Sequence, residues 1–209
     1  ATAEIYTLSL HDALPICNRA VQSWIEEYGT EQPWCYFWSA LSDMRLDMAQ
    51  QEVAEDEMQG GMRHIYGPAQ FCEIIPGGPL EGIGPYTSAH GAYLAALAGQ
   101  LVSGSIWDGS LRLFVDLPAS YRERGVSFKR LRTGNGVTVS GRWDVTSTQV
   151  SLVGEGLYQV TLRLPTSFVG KQVTVLVDGK PITVQIEGDF ARFEVGLIPE
   201  TPVTITIAK

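Results

Sequence analysis

Several classes of protein are excluded by what this sequence lacks. It has three cysteines, Cys17, Cys35 and Cys72, and an odd number without paired spacing does not make a disulfide framework. No apolar run reaches the roughly 18 residues that would span a bilayer. Basic runs are short, as at Lys129-Arg130, and the net charge is −8, which disfavours nucleic-acid binding. We therefore expect neither a membrane protein nor a nucleic-acid-binding protein.

Motifs for metals and cofactors are missing as well. His64 and His90 lie far apart, and no close cluster of His, Cys and Asp accompanies them. The glycine-rich stretch at 77–84 lacks the preceding strand and the lysine of a phosphate-binding loop. No G-x-S-x-G occurs to mark a serine nucleophile. The sequence therefore predicts no metal and no cofactor.

The amino-acid content is that of a folded protein. Hydrophobic residues make up 44% and charged residues 18% of the 209 residues, so disorder is not expected, and the length allows one large or two small domains. The distribution of cysteine does not decide the cellular compartment, and a secreted or periplasmic location is one alternative.

The beginning of the chain, residues 1–16, has a distinct character. It does not start with Met, and its AEIYTLSLHDALPI segment resembles translated sequencing-adapter read-through at the ends of metagenomic reading frames. On that interpretation residues 1–16 are a non-native leader and the sequence is incomplete. A native segment of mixed strand and helix character is the alternative.

Residues 17–106 are predicted to be helical. Apolar residues recur at helical spacing from Asn18 to Tyr28, and a second helix is predicted from Pro33 to about Met58, where Gly60-Gly61 ends it. The two helices are expected to form an antiparallel hairpin. A third helix is predicted from Thr87 to Val102, with Thr87 as its N-cap.

Residues 107–209 are predicted to form an antiparallel β-sandwich, so the fold class is α+β. The hydrophobic period changes here from 3.6 to 2, and Asp178-Gly179 is a strong hairpin signal. This half contains no His and no Cys. The predicted strands are Leu111–Val115, Val126–Leu131, Val137–Trp143, Tyr158–Leu164, Val173–Val177, Ile182–Ile186, Phe190–Val195 and Val203–Ile207.

The loop between the second and third helices is the best candidate for a site. It runs from Arg63 to Tyr86, is rich in Gly and Pro, and contains enough apolar residues to be ordered. Glu73 lies in it between apolar neighbours, a setting that raises the pKa of a carboxyl group and is costly unless the group is paired or used. A carboxylate that ends a strand or pairs with Arg63 is the structural alternative.

Further polar and aromatic residues can contribute to the same pocket. Glu81 lies in a Gly-rich turn, Tyr86 precedes the third helix, and His90 lies in the first turn of that helix, where it can donate a hydrogen bond. Trp34 and Trp38 can stack on sugar rings, although an aromatic stripe on a helix more often belongs to a core. Glu81 as a solvated turn residue and His90 as a backbone-bonded helix-start residue are the corresponding structural alternatives.

The order of these motifs is similar to the last hairpin of the six-hairpin (α/α)6 glycosidases. Glu73, the Gly/Pro loop and Ser-Ala-His-Gly-Ala-Tyr at 88–93 resemble the end of the barrel in glucoamylases, trehalases, α-L-rhamnosidases and α-L-fucosidases. In the first three, a catalytic-base Glu precedes the final barrel helix, and Glu73 matches that position. The segments at 113–119 and 125–139 resemble the passage from barrel to sandwich. Six hairpins need about twelve helices, and the sequence predicts three.

The resemblance implies the C-terminal part of an inverting glycoside hydrolase that acts on an oligo- or polysaccharide. Glu73 is the expected general base, and the general acid is expected in an earlier, missing part of the same barrel. The chain alone is then expected to be inactive. One alternative is a carbohydrate-binding or adhesion module, favoured if Trp107, Trp143 or Tyr158 is exposed. Another is a purely structural domain, in which these aromatic residues are buried.

Overall fold

The computed structural model describes residues 23, 56, 58, 59, 87–105 and 108–208, with residues 87–89 described as backbone. The predicted helices of residues 18–58, apart from residues 23, 56 and 58, lie outside the described residues, as do the cysteines, Trp107 and the loop 63–86. Asp56, Met58 and Gln59 are helical, and Met58 is buried. The chain divides into two compact units, residues 1–96 and residues 97–209. The boundary predicted between residues 106 and 107 stays a prediction.

Helix α1 runs from Thr87 to Leu101 and is followed directly by a strand. Its sequence, TSAHGAYLAALAGQL, is rich in alanine, the best helix former, and Ala96, Gln100 and Leu101 are buried. The helix was predicted to continue to Val102, with Gly104 beyond its end. Instead Val102 and Gly104 belong to the first strand, because their backbone pairs with Leu113 and Leu111.

Two β-sheets make up most of the second unit. Its described strands are β1 Val102–Gly104, β2 Ser110–Leu113, β3 Val126–Arg132, β4 Thr138–Trp143, β5 Thr148–Val153, β6 Gly156–Arg163, β7 Thr174–Val177, β8 Lys180–Ile182, β9 Gln185–Glu187, β10 Phe190–Leu197 and β11 Val203–Ala208. A short helix, α2, spans Ala119–Arg124, and a 3-10 turn spans Thr166–Phe168. The architecture is consistent with the predicted β-sandwich.

Sheet I has the strand order β1-β2-β6-β10-β9. Its strands alternate buried and exposed side chains, as in β10, where Ala191, Phe193 and Val195 are buried between exposed neighbours. Pairing is antiparallel except between β2 and β6, which run parallel with Leu111 opposite Val160. The prediction of an antiparallel sandwich is therefore wrong for this pair. The chain forms three strands of sheet II between β2 and β6, and it re-enters sheet I in the same direction.

Sheet II has the strand order β3-β4-β5-β11-β7-β8 and is antiparallel throughout. The predicted Asp178-Gly179 hairpin is confirmed: it joins β7 to β8, and both residues have the positive φ values, 48° and 75°, that such a turn requires. The single strand predicted from Ile182 to Ile186 is wrong. β8 pairs with β7 in sheet II, whereas β9 pairs with β10 in sheet I, so the chain changes sheets between them.

The core of the second unit combines inward-facing positions of both sheets with buried residues of the connecting segments. Burial of each large apolar side chain there contributes about 1.5–3 kcal/mol. Its fully buried members with the largest side chains are Trp143, Phe114, Leu111, Leu113, Leu117, Leu152, Leu162, Leu164, Ile205, Val137 and Val139. Strand β5 and helix α2 were both absent from the prediction. β5 contributes Val150 and Leu152 to this core, and α2 packs Tyr121 against it. Thr148–Val153 alternates buried and exposed residues as a half-buried strand does.

The β3–β4 turn contacts the β1–β2 hairpin of sheet I. The Asn135 amide donates a hydrogen bond to the carbonyl oxygen of Ser110 at 2.9 Å, and its Oδ1 accepts one from the Thr133 hydroxyl at 2.6 Å. A Cβ atom at Gly104 would lie 2.4 Å from Asn135 Oδ1, so this contact requires glycine. The turn therefore joins the two sheets through a polar contact outside the core.

Candidate functional site

The structure places one of the six predicted site residues. His90 lies in the first turn of α1 and is half-buried. Glu73, Glu81, Tyr86, Trp34 and Trp38 lie outside the described residues, so their roles stay predictions.

The helix that carries His90 presents both polar and apolar groups. Tyr93, one turn beyond His90, is half-buried, and burial raises the pKa of its hydroxyl above the usual value. Burial therefore favours the protonated form of this hydroxyl, which can donate a hydrogen bond. Leu94 is 62% exposed.

Two of the three aromatic residues considered for sugar stacking, Trp143 and Tyr158, are buried. Trp143 is 1% and Tyr158 8% exposed. The Trp143 indole N–H donates to the Arg163 carbonyl oxygen at 3.3 Å, and the Tyr158 hydroxyl donates to the Glu155 carbonyl oxygen at 2.7 Å. Their burial is what the structural alternative predicted for these two residues, and it removes them from the carbohydrate-binding alternative. Trp107 lies outside the described residues.

A buried arginine, which the sequence did not indicate, organises the end of strand β6. Arg163 is 6% exposed, and its guanidinium donates to the carbonyl oxygens of Phe114 and Val115, at 3.1 Å and 2.6 Å for the closest contacts. It also forms an ion pair with Asp189 and lies 4.7 Å from the centre of the Phe190 ring. Because these groups occupy its guanidinium, we assign Arg163 to structure rather than to catalysis.

The segment held by Arg163 has an unusual backbone. Phe114 is fully buried and has a φ of 57°, in the left-handed region that non-glycine residues rarely adopt. Its N–H donates to the Leu101 carbonyl oxygen at 2.8 Å, which ties the segment to the end of α1. Such strain persists only where the surroundings fix it, and the Arg163 hydrogen bonds do so here.

One carboxylate of this segment is buried. Asp116 is 3% exposed, and the Arg112 guanidinium donates to it at 2.6 Å. The Nε of the same arginine is buried without a hydrogen-bond partner. The pair ties β2 to the segment after it. Among the described residues, no group of three or more His, Cys, Asp or Glu could hold a metal ion, and no helix is long and apolar enough to cross a membrane.

Asp144 closes the β4–β5 turn. Its carboxylate accepts hydrogen bonds at 2.8 Å from the backbone N–H and hydroxyl of Thr146 and from both corresponding groups of Ser147. These bonds, that from the Thr146 N–H foremost, lower the pKa of Asp144 to about 2. The charged form therefore stabilises the turn.

Replacing Asp144 by Ala is expected to lower the free energy of unfolding by about 1 kcal/mol at pH 7; partial solvent exposure makes the effect smaller than the pKa shift implies. Because the folded pKa lies below the unfolded value of about 3.9, the stabilisation is present above pH 4 and is lost as pH falls toward 2. Urea unfolding at pH 7 and pH 2.5, with hydrogen exchange of β4 and β5 as the local reporter, measures this. Asp144→Asn is the control that keeps one acceptor oxygen. If the free energies of unfolding of Asp144→Ala and wild type differed by the same amount at pH 7 and pH 2.5, the assignment would be contradicted.

Comparison with known proteins finds weak structural similarity to glycosidases. No protein-family profile matches the sequence, and no curated protein matches it. Among solved structures, a GH127 beta-arabinofuranosidase is similar with a TM-score of 0.40 and 9% identity, covering 81% of this chain and 30% of its own. A GH127 beta-L-arabinofuranosidase from Geobacillus stearothermophilus T6 is similar at 0.38 and 11%, covering 82% and 30%. A third structure, described as a glycoside hydrolase, is similar at 0.38 and 10%, covering 82% and 31%.

These values assign no family to the chain. The chain spans about 30% of the length of the solved structures that it matches. The activity of a whole enzyme is therefore a matter for proposal.

Proposed function

We propose that this chain is the C-terminal part of an inverting glycoside hydrolase that acts on an oligo- or polysaccharide. The observation that supports it most is the order of elements. A glutamate and a Gly/Pro loop precede a small-residue helix with His90 in its first turn, and that helix continues directly into two β-sheets.

In the proposed mechanism, Glu73 deprotonates a water molecule on one face of the sugar ring. A carboxylic acid from an earlier part of the barrel, about 6.5–9.5 Å from Glu73, protonates the leaving oxygen. His90 and Tyr86 donate hydrogen bonds that orient the sugar, Glu81 accepts one from a sugar hydroxyl, and Trp34 and Trp38 stack against its rings.

The second unit has a supporting role in this proposal. The buried Arg163 and the Arg112–Asp116 ion pair hold the segment that follows β2, and α1 is joined to that segment through the Phe114–Leu101 hydrogen bond. This hydrogen bond supports the C-terminal end of α1, at Leu101.

The test compares the 209-residue chain with a longer protein that contains it at its C-terminus. Both are assayed against a panel of aryl glycosides, with the anomeric configuration of the product followed by NMR. We expect hydrolysis with inversion by the longer protein and none by the 209 residues, because one carboxylate cannot act as both acid and base in this mechanism. Robust hydrolysis by the chain alone, or retention of configuration by the longer protein, would overturn the proposal.

A further inference from the structure

The two units carry opposite charge. Residues 1–96 contain 13 carboxylates and three cations, whereas residues 97–209 contain 12 cations and ten carboxylates, so the overall net charge of −8 comes entirely from the first unit. Within the second unit the charges are divided again. The six strands of sheet II contain no Asp or Glu, and they contain Lys129, Arg130, Arg132, Arg142 and Lys180.

Four of these cations lie together along one edge of sheet II. We name Lys129, Arg130, Arg132 and Arg142 the cationic edge; all four are exposed, and Arg142 is 72% exposed. β3 is the edge strand, and β4 lies next to it. Phe128 and Leu131 pack against the core. The positions next to them in β3 face outward: Ser127 pairs with Arg142 of β4, and Arg132 pairs with Thr138 of β4.

A β-bulge adds a further cation to this edge. The register shifts between Phe128 and Leu131, so that Lys129 and Arg130 both lie opposite Ser140, and Arg130 has a φ of 58°. The Arg130 N–H donates to the Ser140 hydroxyl at 3.0 Å, which fixes the bulge. Bulges of this kind redirect side chains, and they are common at sheet edges and next to active sites.

Neutral hydroxyl and amide groups extend from the cationic edge across the sheet. Ser140, Ser151 and Thr204 are aligned across β4, β5 and β11, with strands about 4.8 Å apart. In the next row, Gln149 and Thr206 follow Arg142. We name Ser151, Thr204, Gln149 and Thr206 the hydroxyl floor. Its buried neighbours in each strand face the core, so these four side chains face outward.

We propose that this face of sheet II binds an acidic polysaccharide. The cations match its carboxylates, which arginine binds through paired hydrogen bonds, and the hydroxyl floor matches its sugar hydroxyls. A nucleic acid fits less well, because single strands are bound with stacking aromatic side chains, and the outward positions of the described strands of sheet II have none. The proposal does not rest on the proposed glycosidase activity.

Two carboxylates border this face and reduce its positive charge without cancelling it. Asp144 forms an ion pair with Arg142, 3.5 Å from its Nε. Asp178 lies beside the hydroxyl floor, where its Oδ1 accepts a hydrogen bond from the Thr204 N–H at 2.7 Å. The three cations of β3, Lys129, Arg130 and Arg132, remain exposed. Cations on an edge strand also prevent pairing with other sheets, but that role requires neither Arg142 in an interior strand nor the hydroxyl floor.

The first experiment measures binding of the 209-residue protein to polygalacturonate by isothermal titration calorimetry, with neutral galactan as the comparison. We expect polygalacturonate to bind at 20 mM NaCl and to bind more weakly as salt rises, because the cations exchange small ions for carboxylates. Galactan is expected not to bind. Absence of polygalacturonate binding at low salt would overturn the proposal.

Matched variants locate the binding surface. Lys129→Gln with Arg132→Gln removes two cations from the cationic edge and is expected to weaken binding about tenfold. Lys171→Gln with Arg192→Gln removes the same charge elsewhere and is expected to stay within about twofold of wild type. Circular dichroism and thermal unfolding confirm that both variants are folded. An equal loss in the two variants would mean nonspecific attraction and would refute the site.

The hydroxyl floor has its own variant. Ser151→Ala with Thr204→Val leaves the charge unchanged and is expected to weaken polygalacturonate binding about threefold through lost hydrogen bonds. Polyuridylate and vesicles of phosphatidylglycerol serve as the other polyanions. If either one binds as tightly as polygalacturonate and the floor variant has no effect, the face of sheet II binds polyanions in general and the polysaccharide assignment is wrong.

Discussion

Replacing Glu73 by Gln in a protein that contains the whole catalytic domain is expected to lower kcat by about 10³-fold, with KM little changed. The amide is isosteric with the carboxyl group but cannot accept the proton from water, and general-base catalysis is worth about 10²–10⁴-fold. Because the base acts in the transition state and not in substrate binding, the loss falls on kcat. Initial rates over a range of substrate concentrations measure both constants.

Two further measurements make the Glu73 prediction specific. Azide or formate, a small external nucleophile or base, is expected to restore part of the activity of Glu73→Gln, since the missing group is a base. Glu81→Gln is the matched control; as a residue proposed to contact substrate, it is expected to raise KM more than it lowers kcat. Turnover of Glu73→Gln near that of wild type would remove the general-base assignment.

Replacing Arg163 by Met is expected to lower the free energy of unfolding of the second unit by about 3 kcal/mol. The change removes the donors to the Phe114 and Val115 carbonyl oxygens, which lie in a buried segment, and it removes the ion pair with Asp189. Methionine fills much of the same volume, so the loss of polar contacts accounts for most of the effect. Thermal unfolding is expected at a midpoint lower by roughly 10 °C or more.

Controls for Arg163 separate burial from charge. Arg192→Met removes a cation from the neighbouring strand, where Arg192 is 52% exposed and paired with Glu187, and it is expected to cost under about 0.5 kcal/mol. Asp189→Asn leaves Arg163 bonded to its backbone acceptors and is expected to cost about 1 kcal/mol. If Arg163→Met lost no more free energy of unfolding than Arg192→Met, the carbonyl contacts would not stabilise the fold.

The parts of the fold that follow local rules were predictable. Asp178-Gly179 adopts the positive φ values that mark a two-residue hairpin, and β10 follows the period of 2 along its whole length. The start of α1 at Thr87 also agrees with the prediction. Each of these depends on residues close in sequence, which a pattern can report.

The parts that depend on distant residues were not predictable. Residues 182–186 read as one strand because β-favouring residues run through them without a turn signal. They belong to two sheets because β8 pairs with β7, whereas β9 pairs with β10. Arg163 and Asp189 are 26 positions apart and meet through the register of β6 with β10. Strand β5 follows the polar turn 144–147, which obscured its short alternation. Of the candidate site, His90 lies among the described residues, and the roles of the other members depend on the sequence argument alone.

The position of β11 has a consequence for synthesis. Val203–Ala208 is the last described strand, yet it lies in the interior of sheet II, hydrogen-bonded to β5 on one side and β7 on the other. On the ribosome, β5 and β7 therefore emerge with facing edges unpaired until about residue 208 has left the exit tunnel. Unpaired strand edges of this kind promote aggregation. The nascent chain of this protein is consequently expected to need chaperone protection until β11 has left the exit tunnel.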